Sequence, residues 1–129
     1  MINVKELRIG NYIESPRGIE EIKYAESLGE IEGSPHKFKG IRISPYRLEM
    51  LGFQCNDEDL YSIEAGCFLT EIEIGGGSED KPVYKCYGPG NLLLTLSIEY
   101  VHQLQNLYYF ITYKELKWNS LSYSLIFSP

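Results

Sequence analysis

Residues 98–112 read IEYVHQLQNLYYFIT, and this stretch carries the most distinctive pattern in the chain. Its apolar side chains recur three or four positions apart, at Val101, Leu104, Leu107 or Tyr108, and Ile111. That spacing is typical of one face of an α-helix. The aromatic and β-branched residues of 108–113 would also suit a strand. We interpret the stretch as an amphipathic helix over about residues 99–114.

A second, shorter helix is indicated at residues 44–52, which read SPYRLEMLG. Ser44 can accept a hydrogen bond from the first free amides, and Pro45 suits the first helical position. Gly52 can take the left-handed conformation that ends a helix, and Phe53 can then pack back on the helix. These signals predict two helical turns.

The other apolar segments are short and alternate in the manner of strands. We predict strands at residues 7–13, 19–25, 40–43, 60–63, 67–74, 83–87, 92–98 and 121–127, and a mobile loop at 27–39. Segments 67–74 and 83–87 should form a hairpin, and the continuous apolar character of 92–98 favours a central strand covered on both faces. The last strand either completes this sheet or pairs with a neighbouring molecule. The expected fold is α+β, with two helices and a small, mostly antiparallel sheet or partly open barrel.

Length and charge bound the function. A chain of 129 residues suits one domain over residues 1–129. The net charge is −6, and residues 53–90, with two lysines against eight acidic residues, account for the whole excess. Such a region repels phosphate backbones, so general DNA or RNA binding is disfavoured. No apolar run reaches the roughly 20 residues of a membrane span, and no secretory signal is visible, so we expect a cytoplasmic protein.

The sequence shows no recognisable catalytic or metal motif. His36 and His102 are the two histidines, and neither has a nucleophile or metal ligand at a characteristic spacing. The three cysteines form no Cys-x-x-Cys unit, and the Gly75–Gly77 run lacks the Gly-Lys-Ser/Thr ending of a phosphate loop. We therefore expect no catalytic residues, no metal and no cofactor, although a site assembled from distant residues stays open.

The polar side of the long helix has two interpretations. His102, Gln103, Gln105 and Asn106 either form a surface for a partner or polar ligand, or bond neighbouring backbone groups. The absence of Lys and Glu there suggests that part of this face is covered. The eleven tyrosines, Tyr109 among them, suit an interface, and the alternative explanation is their strand propensity.

Three segments together resemble a known group of proteins. They read KELRIGNY at 5–12, LEMLGF at 48–53 and YVHQLQNLY at 100–108. In this order they are similar to a family of small Bacteroidetes phage and mobile-element proteins. The resemblance implies a phage or mobile-element origin and no particular activity. Where the family tends to have Thr-Gly after the helix, this chain has Thr112-Tyr113, so we expect the helix to run on toward Leu116 or to end differently.

Three functions remain open. The first is a non-enzymatic binding protein, homo-oligomeric, that engages a host or phage protein through acidic and tyrosine-rich surfaces. The second is an oligomeric module that sequesters a nucleotide-like ligand, with tyrosines against the base and arginines, Arg17 among them, on the phosphate. The third is a structural protein. The residues predicted to bind a ligand or partner are His102, Gln103, Gln105, Asn106, Tyr109, Arg8, Arg42 and Arg47.

Overall fold

The computed structural model describes residues 2–55, 61–64, 71–75, 84–87 and 93–119. The helices within these ranges are α1 (Ala25–Gly33), α2 (Pro45–Met50) and α3 (Val101–Thr112). The strands are β1 (Tyr12–Ser15), β2 (Gly18–Glu21), β3 (Lys39–Gly40), β4 (Gln54–Cys55), β5 (Tyr61–Glu64), β6 (Glu71–Gly75), β7 (Tyr84–Tyr87) and β8 (Leu93–Ile98). Single 3-10 turns occupy Val4–Glu6 and Pro35–Lys37.

The strands pair antiparallel in two sheets, of order β2-β1-β3 and β4-β5-β6-β7-β8. The α+β class is confirmed, with two small sheets where the sequence predicted one, and the described strands close no barrel. The predicted hairpin is confirmed, because β6 pairs with β7 in a register that places Ile74 opposite Cys86. A bridge between Arg42 and Tyr100 connects the segment after β3 to the start of α3.

Helix α3 lies over the main hydrophobic cluster. Val101, Leu104 and Tyr108 are buried in it, as the helical spacing predicts. The Gln103 side-chain oxygen accepts hydrogen bonds from the backbone N–H groups of Glu99 and Tyr100, so it fixes the turn that leads into the helix. The helix therefore starts and buries its apolar face as expected, within two residues of the predicted bounds.

Tyr113 ends α3. Its backbone is left-handed (φ 59°), and its N–H donates to the Tyr109 carbonyl. Of the two expected outcomes, the helix ends differently and does not run on toward Leu116. A tyrosine thus occupies the kind of left-handed position that glycine usually fills at the end of a helix.

The small sheet has both faces covered, because successive residues of β1 point to opposite sides. Tyr12 joins the main cluster, where its ring stacks on Trp118 at 4.6 Å. Ile13 joins a second cluster on the other side, built from Ile2, Ile13, Ile22, Ile31 and Phe38. The small sheet is thereby held between the main cluster and α1.

The prediction for α2 is confirmed in detail. The Ser44 hydroxyl accepts a hydrogen bond from the Arg47 N–H at 3.2 Å, and Pro45 is the first helical residue. Gly52 has φ +97°, and the buried Phe53 donates its N–H to the Leu48 carbonyl at 3.0 Å. All four sequence signals act where they were predicted.

The prediction of a mobile loop at residues 27–39 is wrong. Helix α1 covers Ala25–Gly33 and a 3-10 turn follows it. Leu28 and Ile31 are three positions apart and pack into the second cluster, while Gly29 and Gly33 lie on the exposed side, where a helix tolerates them. The two glycines and the weak apolar periodicity are typical of a loop, so the sequence did not indicate this short helix.

Several predicted strands begin or end elsewhere. The prediction of a strand at 7–13 is wrong before Tyr12. The Asn11 side chain accepts a hydrogen bond from the Arg8 N–H there, and the backbone forms a turn. Strand 19–25 ends at Glu21, and strand 40–43 is reduced to β3 and the Arg42 bridge. Strand 92–98 is not central among the described strands, since β8 pairs there with β7 alone. Strand 121–127 and most of the acidic 53–90 segment lie outside the described residues. Within the described ranges, no helix has both the length and the apolar character needed to span a bilayer.

Candidate functional site

Gln105, on the side of α3 predicted to be polar, is fully buried and bonds backbone groups from two distant segments. Its side-chain oxygen accepts the Tyr12 N–H at 2.8 Å. Its amide nitrogen donates to the carbonyls of Gly10 at 3.0 Å and Leu116 at 2.9 Å. These bonds hold the start of β1 and the segment after α3 against the helix.

Asn106 makes a second set of internal bonds. Its amide nitrogen donates to the Glu6 carbonyl at 2.6 Å, and its oxygen accepts from the Asn11 amide at 2.8 Å and from Arg8 Nε at 3.1 Å. Arg8 also forms an ion pair with Glu115. Gln105 and Asn106 therefore act as the second interpretation of this face predicts, because they tie down neighbouring backbone groups.

His102 and Gln103 both approach the Glu6 carboxylate. His102 Nε2 lies 3.3 Å and Gln103 Nε2 3.0 Å from the same carboxylate oxygen. His102 is only 2% exposed, and burial lowers its pKa, against the smaller opposite effect of Glu6. The ring is therefore neutral at pH 7, and the contact with Glu6 assigns its proton to Nε2. Nδ1 is left as an acceptor, buried and without a partner among the described residues.

His102 and Glu6 border a pocket of about 350 Å³ between the first 3-10 turn, β3 and the start of α3. We call it the Tyr100 pocket, lined by Ile2, Asn3, Glu6, Lys39, Gly40, Arg42, Tyr100 and His102. The Tyr100 and His102 rings are stacked, with centroids 5.5 Å apart and planes 8° apart. Arg42 lies over the Tyr100 ring at 5.6 Å, and its guanidinium is 3.8 Å from the Glu99 carboxylate.

A histidine beside a carboxylate in a pocket is the arrangement that would favour an enzyme. In this geometry Nε2 faces Glu6 and Nδ1 is shielded from solvent, so neither nitrogen of His102 is open to a substrate. The described pocket lining contains no serine, threonine or cysteine. The pair is therefore better suited to hold the Tyr100 ring and the Val4–Glu6 turn in place than to transfer a proton.

The far end of α3 presents a different surface. Tyr109, Phe110 and Tyr113 project from its last turn and its cap, and we call these three residues the aromatic surface. Phe110 is 79% and Tyr113 81% exposed, and Tyr109 is also exposed. The Tyr109 and Tyr113 rings meet edge to face at 6.3 Å, and Arg8 lies 4.4 Å over the Tyr109 ring. Exposed rings three and four positions apart share one helix face.

The remaining predicted residues are dispersed. Arg47 lies in α2 and donates to the Arg42 carbonyl at 2.9 Å, and Arg17 pairs with Glu20 in the β1–β2 hairpin. His36 is exposed in the Pro35–Lys37 turn. Within the described ranges, no group of three or more histidine, cysteine or acidic side chains is placed to hold a metal ion.

Sequence reasoning missed most of the residues that matter here. The pocket is lined by Lys39, Gly40 and Glu6, which come from segments distant in sequence, and no local sequence pattern predicts that they meet. Phe110 and Tyr113 did carry a signal, because neither falls on the apolar face of α3. Large rings away from the buried face of an amphipathic helix are candidates for exposure.

Comparisons with protein families, with curated proteins and with solved structures found no match to this chain.

Proposed function

We propose that this protein is a non-enzymatic binding protein that engages a host or phage protein through the aromatic surface. The observation that carries the proposal is the exposure of three rings on one helix face, Tyr109, Phe110 and Tyr113. Single exposed apolar side chains are common, whereas a contiguous group of large rings marks an interaction site. Aromatic side chains and arginine are the residues most enriched in the energetically important parts of interfaces, and Arg8 lies directly on this group.

The backbone at Tyr113 supports the proposal independently. A left-handed conformation costs a non-glycine residue about 1–2 kcal/mol. A tyrosine that packed into the core would offset this cost, but the Tyr113 side chain is 81% exposed and meets only the edge of Tyr109 among the described rings. In the isolated chain the tyrosine gains little there. A partner that covers the ring would supply the missing burial.

The rest of α3 explains why this end of the helix is available. Gln105 and Asn106 use their polar groups on the chain's own backbone, so the helix is fixed to the body of the domain. An interface built on a rigid element loses less side-chain and backbone freedom on binding. The internal hydrogen bonds thus hold the aromatic surface in place, and the side chains that form them are not part of the proposed partner contact.

The test is affinity capture with two matched double variants. Phe110→Ser with Tyr113→Ser removes two rings of the aromatic surface, and Tyr24→Ser with Tyr46→Ser removes two exposed rings elsewhere. Each purified protein is mixed with host lysate, and the captured proteins are quantified by mass spectrometry. We expect a discrete partner with the wild type and the control variant, and its loss with the surface variant. Loss with both variants, or retention with both, contradicts the proposal.

Sedimentation velocity of the same proteins separates a foreign partner from self-association. A dimer that the surface variant alone dissociates would show that the aromatic surface joins copies of this chain. In that case the proposed host or phage partner is wrong, although the location of the surface is right. A folding control is direct, because the substituted side chains are exposed and the melting temperature should change by only a few degrees.

A further inference from the structure

The Tyr100 pocket carries an inference that does not depend on the aromatic surface. At about 350 Å³ it falls at the lower end of the range, roughly 300–1,000 Å³, that small-molecule sites occupy. His102 borders it near the start of α3, and the aromatic surface begins seven residues further along the helix. At about 1.5 Å per residue the two features are separated by roughly 10 Å along the axis.

The pocket lining carries two cations, Lys39 and Arg42, against one carboxylate, Glu6, in a chain of net charge −6. Lys39 is exposed and has no ion-pair partner in the part of the chain that the structure describes. Arg42 is held by Glu99 only at 3.8 Å, near the limit of an ion pair. The Glu6 carboxylate opposes them, but it already accepts hydrogen bonds from Asn3, His102 and Gln103. Two cations are therefore available to an anion at this site.

His102 stacks on the Tyr100 ring, and Gly40 lies against both rings. A Cβ atom on Gly40 would lie 2.7 Å from Cδ1 of Tyr100 and 3.1 Å from Cε1 of His102. Both rings thus depend on the bare backbone of Gly40 for their position.

We propose that the Tyr100 pocket binds a nucleotide-like ligand, with its planar ring against Tyr100 and its phosphate between Lys39 and Arg42. An aromatic ring beside two cations matches a ligand that joins a flat ring to an anion. A mononucleotide fits this volume, whereas the net charge of −6 disfavours the binding of a nucleic-acid chain. The site is distinct from the proposed protein-binding surface, and either assignment can fail alone.

Isothermal titration calorimetry with adenosine 5′-monophosphate tests the assignment. Adenosine, ribose 5-phosphate and inorganic phosphate are the comparison ligands, since each lacks one part of the probe. We expect the monophosphate to bind, and each partial ligand to bind at least roughly tenfold more weakly, as the loss of a charge-assisted hydrogen bond or a stacking contact implies. Equal binding by adenosine excludes the phosphate contact, and equal binding by inorganic phosphate excludes the ring contact.

Variants locate the site. Lys39→Gln removes an exposed cation and should weaken binding of the monophosphate roughly tenfold, while Lys114→Gln, an exposed lysine beyond the far end of α3, should leave it unchanged. Gly40→Ala should abolish binding by displacing the rings, and Lys39→Gln keeps the test decisive if that variant does not fold. No heat at millimolar monophosphate, or equal affinity in the Lys39 and Lys114 variants, overturns the proposal.

Discussion

Replacing Gln105 by methionine tests the claim that α3 is fixed to the domain by its polar side. Methionine has a similar shape and none of the hydrogen-bonding capacity of glutamine. The substitution removes the Gln105 hydrogen bond from each of three buried backbone groups: the Tyr12 N–H and the carbonyls of Gly10 and Leu116. Each such group costs about 1–3 kcal/mol, so after local relaxation we expect a loss of about 3–4 kcal/mol in the free energy of unfolding.

The assays are urea unfolding and thermal unfolding, both followed by circular dichroism at 222 nm. For a domain of this size a loss of about 3–4 kcal/mol lowers the melting temperature by roughly 10–15 °C. Gln54→Met is the matched control, because Gln54 is exposed on β4 and the same change should cost less than about 0.5 kcal/mol. A loss below about 1 kcal/mol at position 105, or equal losses at both positions, would refute the account of this face.

Three further predictions concern stability. Burial lowers the pKa of His102 below its ordinary 6.5, so the unfolded chain takes up the proton more readily than the folded chain. The contribution of this group to the free energy of unfolding is therefore present above about pH 6.5 and falls as the pH drops below it. Urea midpoints should thus fall less between pH 8 and pH 5 in His102→Phe than in the wild type. Tyr113→Gly relieves left-handed strain of about 1–2 kcal/mol, against a glycine entropy cost of about 0.5–1 kcal/mol. Thermal unfolding should therefore show that the free energy of unfolding rises by roughly 0.5–1 kcal/mol. A fall would contradict the strain argument. Ser44→Ala removes the cap on the Arg47 N–H and should cost about 1 kcal/mol in denaturant unfolding, while an unchanged midpoint would show that the cap is not needed.

Local signals made parts of the fold predictable. The α2 helix is bounded by Ser44, Pro45 and Gly52, and each acts on its own few neighbours, so no tertiary information is needed. Helix α1 was missed because its two glycines outweighed the spacing of Leu28 and Ile31. The tertiary contact that buries Ile31 overrides the local preference, and sequence alone does not contain it.

The candidate sites also divide into features that local sequence predicts and features that depend on tertiary contacts. The pocket joins residues near positions 3, 40 and 101, which meet through the Arg42–Tyr100 bridge and through the contacts of Glu6 with α3. The role of Gln105 was one of two alternatives, and the choice depends on carbonyls from Gly10 and Leu116 that sequence spacing does not locate. The aromatic surface was partly readable, since Tyr109 was singled out and Phe110 lies off the apolar face.

Site-specific photo-crosslinking tests the central claim most directly. p-Benzoylphenylalanine is introduced in place of Phe110 or, as the control, in place of Tyr46, which is 62% exposed on α2. After irradiation in host cells, we predict a discrete crosslinked complex with a second, different protein from position 110 and none from position 46. No complex from position 110, or the same complex from both positions, would contradict the account.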